Sequence, residues 1–224
     1  TLREVVGKKG FALSRKFYEL KAKYHGVAQL DYSQRNESIG EDAKISFPDA
    51  VAICRDVFYD VNPLYGDLFD SMLAKGQIDV WPRSGKSGGA FMSAQSSLPI
   101  NVFLNHVTDF KSLETLAHEM GHAIHAKRSQ DGQQPFYDGH SIVTAETAST
   151  LFENLVFDAV YDQMDEHTQF VLLHDRILRD ISTIQRQIAF FNAELDIHES
   201  VMREGGLTSV EYAALMNKHL ANYL

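Results

Sequence analysis

Apolar residues recur every three or four positions along most of this chain, and over one short stretch they crowd into brief runs instead. The first spacing belongs to helices and the second to strands. Val5–Tyr24 carries the helical spacing, with Gly26 as its stop. Ser46, followed three residues later by Asp49, makes a capping box that opens a helix running to about Tyr59. Asn62-Pro63 supplies an N-cap and a first-turn proline for a helix over Pro63–Lys75, which Gly76 ends. Between Gln77 and His106 the period changes. Ile78–Trp81, Ala90–Ser93 and Ile100–Leu104 predict three short strands separated by Gly, Ser and Pro turns. Asp109 caps the next helix, and Ser129–Gly139 reads as a loop from its Gly, Pro, Gln and Asp content. Helical spacing resumes at Ser141, and Asp165 begins a very long helix. There Phe170, Leu173, Ile177, Ile181, Ile184, Ile188, Phe191 and Leu195 predict about 35 residues packing one core stripe. Thr208 with Glu211 is a second capping box, opening the final helix. The fold class so predicted is mainly α (α+β), a small three-stranded sheet among long packed helices.

Within this pattern, His118-Glu119-Met120-Gly121-His122 spells H-E-x-x-H inside a helical stretch, Leu116–Ala126. Residues four apart share a helix face, so His118 and His122 present two imidazoles to one point, which suits tetrahedral zinc. Glu119 projects about 60° from His122 around the axis, at roughly 100° per residue. That sets a carboxylate beside the metal rather than on it, where it can take a proton from a zinc-bound water. The arrangement is that of a zinc hydrolase, most often a peptidase. The plainer reading, two surface histidines and a solvated charge, conflicts with helical phase. Leu113, Leu116, Ala117, Met120 and Ile124 form the core-facing stripe, and His118, His122 and His125 cluster opposite it. Gly121 lies between the two faces. A glycine in a helix interior costs about 1 kcal/mol relative to alanine, and close approach of another backbone or of a substrate would account for it. A small sheet just before a zinc helix is the layout of a zincin-like catalytic lobe.

A catalytic zinc takes three protein ligands and leaves a fourth position for water. Histidine six residues after His122 is ruled out, because Arg128 stands there. Asp131, Asp138, Glu146 and Glu153 are the near acids, with His140 as a non-acidic alternative. Asp131 and Asp138 fall in the expected loop. From Ser141 onward, Leu151, Phe152, Leu155 and Ala159 share one face, and Glu146, Ser149, Thr150 and Glu153 another. A ligand on a rigid helix packed against the first is the better design, so Glu146 leads. Spacing alone leaves Asp138 and Glu153 open.

His118–His125 reads H-E-M-G-H-A-I-H, and residues 144–154 read T-A-E-T-A-S-T-L-F-E-N. Together these resemble the oligoendopeptidase F branch of the thimet oligopeptidase family, which carries H-E-x-G-H-x-x-H and then a helix with E-x-A-S-x-x-x-E. Ile78-Asp79-Val80, Gly89-Ala90 and residues 193–198 (A-E-L-D-I-H) match further, so the resemblance spans nearly the whole chain. It implies one zinc ion held by His118, His122 and Glu146, with Glu119 as general base. Glu153, and with less reason His125, is a candidate to orient a ligand rather than bind the ion. Short peptides are the implied substrates, because the family encloses its site in a deep helical channel. The resemblance also implies that the family continues past Tyr223-Leu224 into a segment that supplies histidine and tyrosine side chains to the substrate. Thr1 is no initiator methionine, and the closing helix has no stop signal, so residues 1–224 are expected to be one zincin-like catalytic region of a longer chain. Within it, 1–76 is a helical lead-in, 77–106 the sheet, 107–163 the zinc-binding helix pair and 165–224 a helical scaffold. The competing expectation is a non-catalytic module that binds zinc and peptide without turnover. Surface uncovered by truncation is expected to be apolar and to favour self-association.

Composition narrows the partners. Lys+Arg 21 against Asp+Glu 30 gives a formal charge of −9, which argues against nucleic acid and anionic membrane. A single cysteine, Cys54, excludes an internal disulfide and sits in an apolar run as a small buried hydrophobe. Neither a signal peptide nor an apolar run of about 20 residues is visible, and the cytoplasm is the expected compartment. Gly85, Gly88 and Gly89 are not followed by G-K-[ST], which weakens a phosphate-loop reading. A strand edge there could instead take up an extended peptide as an added strand.

Overall fold

The structure, a computed structural model, describes residues 2–31, 33–96 and 98–223, and for residues 2, 3, 5–10, 222 and 223 the backbone alone. The side chains expected to open the first helical stripe, from Val5 to residue 10, lie outside that description, as do Thr1 and Leu224. The chain divides into two compact units, residues 41–169 and residues 1–40 with 170–224.

In the 41–169 unit, the local signals act where they stand. Ser46 accepts the backbone N–H of Asp49 and starts α2 (Phe47–Val61). The Asp49 carboxylate answers the Ser46 hydroxyl rather than the backbone amide of the cap. Asn62 ends α2 with its N–H on Phe58 and starts α3 (Pro63–Ala74) with its side chain on the Leu64 N–H, at 3.0 Å. Gly76, at φ +66°, turns the chain out of α3. Three strands follow: β1 (Ile78–Asp79), β2 (Phe91–Ser93) and β3 (Asn101–Phe103). They are shorter than the apolar runs that predict them. Their order is β1-β3-β2, with β3 parallel to β1 and antiparallel to β2, so Val102 pairs with both Ile78 and Met92. β2 is therefore an edge strand.

Next come α4 (Phe110–Gly132) and α5 (Ile142–Tyr161). Cys54, Phe58, Phe69, Leu113, Leu116, Met120 and Val156 are fully buried between these helices. Burial pushes the Cys54 thiol pKa up, as befits an inert core group. Two expectations change here. α4 continues through Ser129–Gly132, which composition reads as loop. On α5 the buried face is Ser149, Phe152, Val156 and Val160, while Leu151 is exposed. The turn is set by α4: Ser149 faces Gly121, so a small polar residue is buried and a leucine beside it is left out.

In the other unit, α1 (Leu2–Tyr24) ends near Gly26, at φ +68°. The helix that enters as α6 (Glu166–Asp180) continues through a π-helical turn, Ile181–Arg186, into α7 (Gln187–Glu204). Gly205, at φ +81°, closes α7. The Thr208–Glu211 capping box is reciprocal, with Thr208 N–H to Glu211 Oε2 at 2.8 Å and Glu211 N–H to Thr208 Oγ1 at 3.3 Å, and opens α8 (Ser209–Tyr223). Tyr18, Leu178, Ile181 and Ala189 form the core, with Phe11, Phe17, Leu30 and Leu220 against it. The expected core stripe is corrected. Phe170, Leu173, Ile177, Ile184 and Phe191 are exposed, and the buried line is Val171, His174, Leu178, Ile181, Gln185, Ala189 and Ala193. Small Ala189 and Ala193 allow close helix approach, which selects their line over the bulkier one beside it. Among the described residues, no helix is long and apolar enough to cross a membrane.

Candidate metal centre

The first two candidate donors, His118 and His122, come from α4. Asp109 accepts the Ser112 N–H at 2.7 Å and fixes where that helix begins. The stripe Leu113, Leu116, Ala117, Met120 and Ile124 is then buried in the core, which turns His118 and His122 to the other side. Their rings lie 4.8 Å apart and almost perpendicular, at 88°.

The placing of the third candidate donor depends on a glycine. A Cβ on Gly121 would stand 2.7 Å from Ser149 Cα and 2.9 Å from the Ala148 carbonyl oxygen. Only glycine permits α4 and α5 to meet backbone to backbone there. One turn before this contact, Glu146 reaches both imidazoles: its Oε2 is 3.5 Å from His118 Nε2 and its Oε1 is 3.8 Å from His122 Nε2. Ser149 Oγ donates to Glu146 Oε2 at 2.9 Å and holds the carboxylate in place. One ligand atom from each of His118, His122 and Glu146 lies within 4.8 Å of the others. Two imidazoles and one carboxylate form a donor set that fits zinc.

The groups around these three are arranged unequally. His118 Nδ1 is 3.1 Å from Glu153 Oε2, so that carboxylate fixes the ring with Nε2 turned to Glu146. Glu153, with further help from Glu119 and Glu146 against the opposing cost of burial, raises the His118 pKa. Burial lowers that of His122, and the neighbouring His118 lowers it further. Glu119 is only 6% exposed. Its carboxyl pKa is raised, chiefly by burial, while the Met92 backbone N–H bonds to the carboxylate and works against the rise. Edge strand β2 therefore runs directly beside Glu119.

The remaining candidates stand elsewhere. Asp131 pairs with Lys127. Asp138 accepts from Ser96 Oγ at 2.5 Å. His140 lies against His125, ring centres 4.1 Å apart, rather than among the three donors. Sequence reasoning missed the Met92 contact, which no local pattern announces. It also missed the Ser149 support of Glu146, which an i, i+3 scan of α5 would have found.

The family model for Peptidase family M3 matches residues 57–222. The chain is 28% identical over 199 residues to an oligoendopeptidase F homolog of Lactococcus lactis subsp. lactis (strain IL1403), covering 88% of this chain and 33% of that protein. It is 26% identical over 202 residues to the group B oligopeptidase PepB of Streptococcus agalactiae serotype III (strain NEM316), covering 89% and 33%. The chain thus spans about a third of the length of these curated relatives. Among solved structures, it superposes on a Bacillus anthracis str. Ames protein assigned as an oligoendopeptidase F with a TM-score of 0.84 at 16% identity, over 99% of this chain and 41% of that one. PZ peptidase A with an inhibitor gives 0.78 at 19%, over 99% and 39%. At those identities the likeness speaks for the fold.

Proposed function

Since the chain belongs to Peptidase family M3, we propose that it is the catalytic region of a zinc-dependent endopeptidase that hydrolyses short peptides. The observation that carries this reading is the convergence of His118 Nε2, His122 Nε2 and the Glu146 carboxylate beside buried Glu119. His118, His122 and Glu146 would hold the ion. Zinc, when bound, lowers the pKa of water towards about 7, from about 15.7 in bulk, and polarises a carbonyl.

Glu119 is the general base. A raised carboxyl pKa makes its carboxylate a better proton acceptor than a solvated glutamate, and the Met92 N–H keeps it aimed. It takes the proton of the attacking water and returns it to the leaving amine. Glu153 accepts the Nδ1–H of His118, which leaves the Nε2 lone pair free towards Glu146 and the metal. Apart from the Met92 N–H, which Glu119 takes, the outer edge of β2 offers backbone groups on which an extended peptide can lie as an added strand, running past Glu119.

The test is Glu119→Gln in the full gene product, assayed on a quenched short peptide at equal zinc occupancy. Zinc is retained and turnover drops by about 10²–10⁴, the usual worth of a general base. A variant within a factor of two of the parent overturns the assignment.

A further inference from the structure

The loop from residue 133 to residue 141, between α4 and α5, is tied down at its base and apolar at its tip. Ser129 Oγ donates to the Asp138 carbonyl at 2.6 Å. Ser96 Oγ donates to the Asp138 carboxylate at 2.5 Å and to the Pro135 carbonyl at 3.2 Å. The Gln130 side chain donates to the Gln95 carbonyl at 3.3 Å. Gln95 and Ser96 stand two and three residues past the end of β2, so these bonds bind the loop and the end of α4 to the exit of the edge strand. On its far side the loop touches the helix that carries His118 and His122, because His140 lies against His125, one turn beyond His122.

From this fixed base Phe136 projects at 89% exposure and Tyr137 at 66%, packed edge to face with ring centres 5.3 Å apart. Ile142 and Val143, at the start of α5, are 75% and 74% exposed. Single exposed apolar side chains are ordinary, but four within eight residues of a tethered loop beside a candidate site are not.

We propose that this loop carries a substrate subsite in which Phe136 and Tyr137 receive an aromatic or large aliphatic side chain of the peptide. The inference rests on the peptidase reading above and specifies one of its preferences. A peptide laid along the β2 edge passes Glu119 at Met92 and then heads for Ser96. The four steps from Met92 to Ser96 span at most about 13 Å at the strand rise of about 3.3 Å. The side chain that meets the loop therefore stands two to four positions from the scissile bond, on one side only. Two rings already set edge to face offer a third ring both an edge and a face, the arrangements aromatic pairs prefer.

The test uses the full gene product and alanine octapeptides that carry one phenylalanine, moved position by position. Cleavage sites are mapped by mass spectrometry, and kcat and KM are measured separately. In the parent enzyme, phenylalanine at one position two to four residues from the cleaved bond lowers KM about three- to tenfold, the scale of one aromatic contact. The Phe136→Ser/Tyr137→Ser double variant loses that gain, so that the ratio of KM between the all-alanine and phenylalanine peptides falls to about one. Asp138→Ala, which removes the carboxylate tie to Ser96 while both rings are retained, reduces the same preference. An undiminished preference in the double variant, or an equal loss on every peptide, overturns the subsite while leaving the peptidase reading standing. Absence of cleavage of every peptide by the parent overturns the peptidase reading, and the subsite with it.

Discussion

Gly121→Ala tests the geometry of the centre most directly. The added methyl would stand 2.7 Å from Ser149 Cα and 2.9 Å from the Ala148 carbonyl, both backbone atoms, so no rotamer change relieves it. Ordinary contact begins near 3.4 Å, so α5 must retreat by about 0.7 Å. Overpacking of this kind costs about 1–3 kcal/mol. Replacing a helical glycine by alanine returns about 0.4–1 kcal/mol. The net expectation is a loss of about 0–2.6 kcal/mol, centred near about 1.3, in urea denaturation of the metal-free protein. The larger effect falls on the donors. Glu146, one turn before Ser149, moves with α5, and 0.7 Å is several times the about 0.2 Å tolerance of a metal–ligand distance. Zinc affinity, measured by competition with a chelating dye, is expected to fall about 10–100-fold, the scale seen when the groups that hold a ligand in place are disturbed. Gly132→Ala is the control: nothing lies within 4 Å of its added methyl, so it should be neutral or stabilising by up to about 1 kcal/mol. A Gly121→Ala protein of parental stability and zinc affinity would refute the close-approach argument.

Three further outcomes follow from other features. His118→Ala or His122→Ala abolishes stoichiometric zinc, since two donors rarely hold such an ion; full occupancy by elemental analysis in both variants would put the metal elsewhere. Glu119 carries a raised carboxyl pKa caused chiefly by burial, so the fold binds its proton more tightly than the unfolded chain does. Stability then falls as pH rises from the ordinary glutamate value to the raised one, and levels off above it. Metal-free Glu119→Gln should accordingly be more stable than the parent at neutral pH, with the difference vanishing in acid; equal urea midpoints at neutral pH would contradict the assigned shift. Finally, the exposed Phe170, Leu173, Ile177 and Ile184 line should drive concentration-dependent self-association of the 224-residue chain, reduced by Ile177→Glu, and light scattering that shows monomer throughout would count against it.

Where backbone chemistry is local, the sequence was readable almost to the residue. Asn62-Pro63 ends one helix and begins the next, and Thr208 with Glu211 makes both of its capping bonds. The convergence of His118 and His122 needed only the helical repeat. Glu146 could be ranked first, but its place beside them depends on an α4–α5 contact that spacing cannot supply, although Gly121 advertised a close approach. Features set by neighbours in space were less legible. Side-chain bulk singled out the Phe170–Leu195 line for burial, yet tight packing favoured the line through Ala189 and Ala193. Composition read Ser129–Gly132 as loop, although from helical positions Ser129 binds the following loop at Asp138 and Gln130 binds the earlier segment at Gln95. The Met92 N–H on Glu119 arises from sheet order, β1-β3-β2, which no period reveals.

The two imidazoles belong to one helix and the carboxylate to the next, with 24 residues of chain from His122 to Glu146. An ion gripped by all three acts on the chain as a reversible crosslink. In the unfolded state it would hold closed a ring whose opening is worth about 3.5 kcal/mol by the measure used for disulfides of that span. Stripping the ion should then do more than stop chemistry. It should release the start of α5 to local opening, so that amide hydrogens near Glu146 exchange faster while those of the buried α4 face keep their protection.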